Sequence, residues 1–209
     1  MKYISLKNSL KVTVLLISLS VLPACEDFLE IPAPTNSVTG ETVFLNKGTI
    51  DKLMNNMYYN WANSSGLALQ YSRSAEFFSD NAYNPTGVSF YPEMTGVLTP
   101  ETSAMSGGLW GTWYTTVYGA NLILEGLPDA PGITDEAVRN AYMGAALTIR
   151  AGAHYYLART FGDVPINLTA DVDENSFKPR VPVAEVYAQV IADLNEAMTL
   201  LPETSAGNK

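Results

Sequence analysis

The sequence is poor in the residues that build metal sites, disulfide frameworks and nucleic-acid interfaces. Its 209 residues contain one cysteine and one histidine, too few for a zinc site or a set of disulfides. Lysine and arginine total 12 against 21 acidic residues, so the basic surface that binds nucleic acid is missing. Only 16% of the residues are charged and 47% are hydrophobic, which excludes an intrinsically disordered chain.

Aromatic residues with a polar tip are, by contrast, plentiful. The chain has 12 tyrosines and 3 tryptophans against 7 phenylalanines. Tyrosine and tryptophan combine a flat apolar face with a hydrogen-bonding group, so they suit surfaces that contact polar ligands with apolar faces.

The first 24 residues are predicted to be an export signal. Three lysines precede an apolar run over residues 12–22, which has the length of a signal-peptide core and is shorter than the roughly 20 residues that span a bilayer. The run ends in Leu22-Pro-Ala-Cys25, which resembles the lipobox of bacterial lipoproteins. Cys25 is therefore the predicted lipidation site, with palmitate among the expected acyl chains. The alternative is an ordinary cysteine after a plain secretory cleavage site.

A tether is predicted between the signal and the folded part. Glu26-Asp27 resembles the surface-export signal of Bacteroidetes lipoproteins, although the two acids also suit a solvated tether. The proline-rich segment from Ile31 to Ser37 disfavours helix. The predicted organisation is a lipoprotein signal peptide over 1–24, a tether over 25–48 and a helical domain over 49–209.

The helical domain is predicted to be all-α, with helices in tetratricopeptide-like pairs. Apolar residues recur at spacings of three and four, and no stretch alternates as a strand does. Aromatic and small residues interleave, as in α-solenoids, and Gly152 is expected at a close helix contact. Tyr58, Tyr155 and Tyr156 fall on helical faces and are predicted to be core. The predicted helices are Thr49–Trp61, Leu67–Phe78, Gly108–Leu127, Thr134–Phe161 and Pro182–Leu201.

Residues 62–108 form a long irregular stretch apart from the short helix at Leu67. Glycine, serine, asparagine and proline punctuate it, and loops of this length are usually functional. Sugar rings stack their C–H faces on aromatic rings, while their hydroxyls need acid and amide partners. The predicted ligand-binding residues are Asp80, Asn81, Tyr83, Tyr91 and Trp110. Alternatively, the loop aromatics pack beneath the loop, and Trp110 begins a helical stripe that is core.

Three segments together resemble the SusD/RagB family of nutrient-uptake lipoproteins. They are Cys25-Glu-Asp-Phe-Leu-Glu-Ile-Pro32, the aromatic helix from Trp110 to Glu125, and the helix from Ala146 that closes in Phe161-Gly-Asp-Val-Pro165. Arg180-Val-Pro-Val-Ala-Glu-Val-Tyr187 fits the following helix. The resemblance implies a mostly helical lipoprotein on the outer face of the outer membrane. It also implies an oligosaccharide or peptide ligand and a TonB-dependent outer-membrane transporter as partner. Family members are usually far longer, so a C-terminally truncated chain is expected.

Other functions are weaker alternatives. Glu76 and Asp80 share a helical face, as the two carboxylates of a glycoside hydrolase could. A helical-repeat adaptor that binds protein is a third class. Arg150 and Arg159 are expected to pair with acids or to cap carbonyls, Asp163 to accept backbone N–H bonds, and His154 to be structural. The sequence thus predicts a binding protein that is not an enzyme, with no catalytic residue, metal or cofactor.

Overall fold

The computed structural model describes residues 40–62, 67–83, 95–97, 99 and 105–203, and these are almost entirely helical. They contain no strand, and one antiparallel bridge joins Val164 to Val181. The predicted all-α class is confirmed. Cys25, Tyr91 and the predicted signal peptide lie outside the described residues. The elements are α1 (Gly40–Val43), α2 (Lys47–Ala62), α3 (Leu67–Phe78), a π-helical turn (Met105–Trp110), α4 (Gly111–Gly126), α5 (Glu136–Phe161), α6 (Val172–Ser176) and α7 (Val183–Leu200).

The longest helix, α5, is the element on which α4 and α7 both pack. It begins after Asp135, whose side chain accepts a hydrogen bond from the Ala137 N–H at 2.9 Å and so caps the helix. It ends at Gly162, whose φ of 74° suits a glycine, and the Gly162 N–H bonds the Ala158 carbonyl. The predicted helix to Phe161 is therefore confirmed, with its first residue at Glu136.

Small residues on α5 allow its neighbours to approach closely. A Cβ atom at Gly152 would lie 2.5 Å from Cη2 of Trp61 on α2. A Cβ atom at Gly144 would lie 2.7 Å from Cγ of Leu201, which follows α7. The close contact that the sequence predicts at Gly152 is confirmed, and its partner is an indole ring.

The apolar core has two parts that meet at Trp61. One part joins α2, the second half of α4 and the first half of α5, around Ile50, Ile123 and Ala146. The other joins the first half of α4 and the second half of α5, around Trp113 and Leu157, and it includes Val186 of α7. Trp61 packs against both parts, so α2 is anchored along the length of the bundle.

Four details differ from the sequence prediction. Tyr58, expected in the core, is 50% exposed, because Ile50, Met54 and Met57 define the buried face of α2 and Tyr58 lies beside it. The turn before α4 is π-helical. Pro182 immediately precedes α7 and is its N-cap. The helices α1 and α6 were not predicted, since four or five residues are too few to show a helical period.

Candidate functional site

The predicted ligand residues Asp80, Asn81 and Tyr83 lie where α3 ends and the chain reverses. Asp80 has a φ of 59°, and its N–H bonds the Phe77 carbonyl at 3.4 Å. The Asn81 N–H bonds the Glu76 carbonyl at 3.0 Å. This pair of bonds around a left-handed residue is a Schellman motif, which usually has glycine at the position that Asp80 occupies. Asp80 therefore holds a conformation that the backbone alone does not favour.

The same turn places three of the five predicted ligand residues on the surface. The side chains of Asp80 and Asn81 are exposed, and Tyr83 has 79% of its surface in solvent. A carboxylate, an amide and an aromatic ring are thus presented within four residues. These are the groups that bind sugar hydroxyls and stack on sugar C–H faces. Tyr91 lies outside the described residues.

Trp110 is partly buried against other side chains. Its ring centroid lies 5.0 Å from Tyr114 and 5.1 Å from Phe161, and the Arg180 guanidinium lies 5.0 Å over the ring. Arg180 is held there because its Nη1 donates to the Asp163 carbonyl at 2.8 Å. These contacts fit the packing interpretation of Trp110. Its assignment as a ligand residue stays a prediction, and the π-helical turn that carries it packs against α3.

An aromatic cluster fixes α3 to the bundle. Tyr156 of α5 stacks on Trp113 of α4 with centroids 5.0 Å apart and ring planes 12° from parallel. Tyr71 of α3 lies 4.9 Å from Tyr156, and Trp61 of α2 meets Trp113 edge-on at 5.5 Å. Tyr156 is partly buried, as is its neighbour Tyr155. The cluster joins four helices and so sets where the end of α3 presents its polar residues.

A buried polar network holds α4, α5 and α7 together. Arg150 binds both carboxylate oxygens of Asp193, at 2.8 and 2.7 Å, and donates to the Asn121 side chain at 2.9 Å. Gln189 donates to Asp193 at 2.8 Å. Arg150, Asn121 and Asp193 are each at least 93% buried, so none of the three is open to a ligand. The expected acid partner of Arg150 is confirmed, whereas Arg159 donates to the Tyr155 hydroxyl instead.

His154 and Asp163 have the structural roles that the sequence predicts. His154 is fully buried, and its Nε2 accepts a hydrogen bond from the Asn167 N–H at 3.3 Å. Burial is the main cause that lowers the pKa of His154 to about 4, so the ring is neutral near pH 7. Asp163 accepts a hydrogen bond from the Val183 N–H at 3.0 Å, which ties the Gly162 turn to the start of α7.

The arrangement offers little to catalysis. Glu76 and Asp80 are both exposed, whereas the general acid of a glycosidase lies in an enclosed, apolar site. Among the residues that the structure describes, no group of histidine, cysteine or acidic side chains could hold a metal ion. None of the helices in the described ranges is long and apolar enough to cross a membrane.

The wall of an open groove of about 480 Å³ includes none of the predicted ligand residues that the structure describes. It runs between α2 and α5 and is lined by Asp51, Tyr58 and Tyr142, with Leu201 also in its wall. The Tyr142 hydroxyl donates to Asp51 at 2.6 Å, and Lys47 pairs with the same carboxylate at 2.8 Å. Two of its polar side chains, Asp51 and Tyr142, are thus bonded to each other.

Comparison with known proteins gives consistent matches over most of the chain. The SusD-like family profile described as starch-binding associating with outer membrane matches residues 27–208. SusD-like protein P38 of Formosa agariphila is 30% identical over 91% of this chain and 37% of its own length. A SusD-like protein of Bacteroides ovatus is 23% identical over 93% of this chain and 35% of its own length. The chain thus spans little more than a third of the length of these relatives.

Solved structures match the fold. A laminarin-binding SusD-like protein superposes with a TM-score of 0.63 at 22% identity, over 77% of this chain and 36% of that one. A SusD-like carbohydrate-binding protein from Bacteroides vulgatus gives a TM-score of 0.60 at 23% identity, over 78% and 37%. These matches confirm the tetratricopeptide-like helical architecture.

Proposed function

The chain belongs to the SusD-like family, and on that premise we propose that it captures oligosaccharides at the cell surface. The captured ligand passes to a TonB-dependent outer-membrane transporter. The protein acts as a binding protein and not as an enzyme.

Lipidation at Cys25 attaches the protein to the outer membrane in this proposal. The apolar run that precedes Cys25 is too short to span a bilayer and ends at a lipobox-like sequence. Two or more acyl chains on one cysteine give stable anchoring, which a single chain does not. The Glu26-Asp27 pair favours the outer face of that membrane.

The exposed group at the end of α3 is the observation that carries the ligand proposal. Asp80, Asn81 and Tyr83 present acceptors, donors and an aromatic face together, on a turn fixed by two backbone hydrogen bonds. A preformed turn limits the entropy lost on binding. The family's description as starch-binding and a structural neighbour named for laminarin binding support a glucan as the first ligand class to test.

Peptide capture is the alternative within the family, and protein binding by the helical repeat is the alternative outside it. An exposed tyrosine and an amide also suit a peptide backbone. The net charge of −9 favours neutral glycans over acidic peptides, because like charges repel. Reducing-sugar release distinguishes a hydrolase, which produces it, from a glycan binder, which does not.

Affinity electrophoresis in gels containing laminarin or starch tests glycan binding, and calorimetry with oligosaccharides of the retarding glycan measures affinity. We expect the Tyr83→Ala and Tyr91→Ala variants to bind about five- to tenfold more weakly, since one lost aromatic contact is worth on the order of 1 kcal/mol. Tyr59→Ala is the matched control, because Tyr59 is 65% exposed on α2 and is not a predicted ligand residue. Each variant should melt as the wild type does.

Equal affinity in Tyr83→Ala, Tyr91→Ala and the wild type would place the site elsewhere. Retardation by no glycan, together with saturable binding of peptides, would favour the peptide-capturing alternative. A gene for a TonB-dependent transporter next to this one would support the delivery step.

A further inference from the structure

The open groove between α2 and α5 has the size and the lining of a small-molecule site. Its volume of about 480 Å³ lies within the range of such sites, about 300–1,000 Å³, which are mostly apolar with a few polar groups. Ala141 and Ala145 of α5 line it with small side chains, and Leu201 and Pro202 add an apolar wall. The groove therefore has room beside α5 and an apolar surface that a ligand can cover.

The helix α2 presents three groups of different chemistry to this groove. Asp51, Asn55 and Tyr58 all line it, and their spacing of four and three residues places them along one side of the helix. Asn55 is exposed, the side chain of Asp51 is 36% exposed, and Tyr58 has 50% of its surface in solvent. A carboxylate, an amide and an aromatic ring are thus accessible to a ligand in the groove.

The carboxylate of Asp51 is fixed in place and keeps room for a further hydrogen bond. Lys47 donates to both of its oxygens at 2.8 Å, and the Tyr142 hydroxyl donates to it at 2.6 Å. The bonds from Lys47 and Tyr142 lower the pKa of Asp51, so the group is ionised near pH 7. A carboxylate has about four acceptor positions, so one remains for a ligand. The Asn55 side chain has no partner within the described part of the chain and offers both donors and an acceptor.

The charges and the lining of the groove favour a neutral ligand that carries hydroxyl groups. Lys47 and Asp51 neutralise each other, so neither an anion nor a cation meets an unpaired counter-charge there. A purely apolar ligand would remove water from this ion pair without replacing its hydrogen bonds, which is unfavourable. A sugar has hydroxyl groups at its edge and C–H groups on its faces, so it meets both requirements.

We propose that the groove between α2 and α5 is a second carbohydrate-binding site, formed by other residues than those at the end of α3. Its ligand is a neutral mono- or disaccharide, or one end of a longer glycan. Asp51 and Asn55 bond to the hydroxyls of the sugar, and one C–H face lies against Tyr58. The proposal shares its ligand class with the proposed function, but it rests on different residues.

The sequence of α2 supplies matched controls for this site. Asn55 and Tyr58 are each followed by a residue of the same type, Asn56 and Tyr59, which are exposed and do not line the groove. The double variant Asn55→Ala/Tyr58→Ala should bind sugar at least about fivefold more weakly, since one lost aromatic contact alone has about this effect. The double variant Asn56→Ala/Tyr59→Ala should bind as the wild type does. Thermal melts check that both variants are folded.

Nuclear magnetic resonance of the isotope-labelled protein locates the binding. Glucose, galactose, mannose and laminaribiose are titrated in turn while the side-chain amide of Asn55 and the backbone amides of Ala141 and Ala145 are followed. We expect saturable shifts of these signals in the wild type with at least one sugar. No saturable shift at these residues with any of the four sugars would overturn the groove proposal. Equal affinity in the two folded double variants would overturn it as well.

The variant Tyr83→Ala separates this site from the end of α3. The groove shifts should persist in Tyr83→Ala with unchanged affinity, and their loss would overturn the proposal of a separate site. Shifts confined to residues 80–83 would overturn the groove proposal and leave the proposed function standing. Shifts in the groove without any at residues 80–83 would support the groove and count against the Tyr83 site.

Discussion

Arg150 of α5 and Asp193 of α7 form a two-point ion pair in the interior of the bundle. Nε and Nη2 of Arg150 lie 2.8 and 2.7 Å from the two carboxylate oxygens. The side-chain oxygen of Asn121 on α4 accepts a third hydrogen bond from the same guanidinium. The side-chain amide nitrogen of Asn121 donates to the carbonyls of Asn167 and Thr169. The buried Arg150 guanidinium thus connects three helices with the segment that leads into α6.

Removing Asp193 should be strongly destabilising. Asp193→Ala leaves the Arg150 guanidinium buried without its counter-charge, and breaking such pairs costs about 3–5 kcal/mol. Urea unfolding followed by circular dichroism measures the change. The double variant Arg150→Met/Asp193→Ala should lose less stability than the sum of the losses in Arg150→Met and Asp193→Ala, because it leaves no unpaired charge. Additive losses would show that the pair is not coupled.

Alanine should destabilise the protein at Gly152 but not at Gly111. Gly152→Ala places its Cβ 2.5 Å from the Trp61 ring, which Trp113 and Tyr156 hold in place, so we expect a loss of about 1–3 kcal/mol. Gly111→Ala has no atom within 4 Å of its added Cβ and should be neutral or stabilising by up to about 1 kcal/mol. Thermal melts of the two variants provide the comparison. A Gly152→Ala protein with the same melting temperature as the wild type would contradict the close contact.

Much of this fold could be predicted because its helices carry local signals. The caps of α5, an aspartate at one end and Gly162 at the other, are readable from the sequence, as is its stripe of small residues. The bounds of α3 coincide with those expected, and Arg150 was expected to pair with an acid. These features depend on residues a few positions apart.

The partners across the bundle could not be predicted. Asp193 lies 43 residues from Arg150, and several other acids were equally available in the sequence. The segment before α6 is held by Asn121, which donates to the carbonyl of Asn167, 46 residues further along the chain. Such contacts depend on how distant segments pack together, which the local spacing of apolar residues does not predict.

The stability of the protein should fall in acid because of His154. Its pKa of about 4 in the folded state compares with 6.5 when exposed, so the unfolded chain binds more protons between these values. The contribution of neutral His154 to the free energy of unfolding is complete above about pH 6.5. It declines by about 3 kcal/mol as the pH falls to 4. Protonation would also remove the acceptor of the Asn167 N–H.

Urea unfolding of the wild type and His154→Gln between pH 4 and pH 8 measures this slope. Glutamine keeps a side-chain acceptor but does not titrate, so the difference between the two proteins isolates the histidine. We expect the variant to be less stable at pH 8 and to have the shallower decline in acid. Parallel curves would assign the acid sensitivity to other groups.

Cys25→Ala should release the protein from the membrane fraction. Each buried CH₂ of an acyl chain contributes about 0.8 kcal/mol to membrane binding, so loss of the acyl chains removes the anchor. Metabolic labelling with palmitate followed by fractionation measures both lipidation and location. Substitution of Ser37, in the predicted tether, by alanine is the matched control and should leave both unchanged. Membrane retention of an unlabelled Cys25→Ala protein would contradict lipid anchoring.

Substitution of Asp80 by glycine should raise stability while it lowers affinity for glycan. Its φ of 59° strains a residue with a side chain, so Asp80→Gly should stabilise the protein by about 0.5–1 kcal/mol. The same change removes the carboxylate that we propose accepts sugar hydroxyls, and binding should weaken. Asp80→Asn is the control, because asparagine tolerates the left-handed conformation and keeps an acceptor oxygen without the charge. Its affinity should fall between those of wild type and Asp80→Gly. A glycine variant that is more stable and binds glycan as tightly as the wild type would limit Asp80 to ending α3, leaving Asn81 and Tyr83 as the ligand residues of that turn.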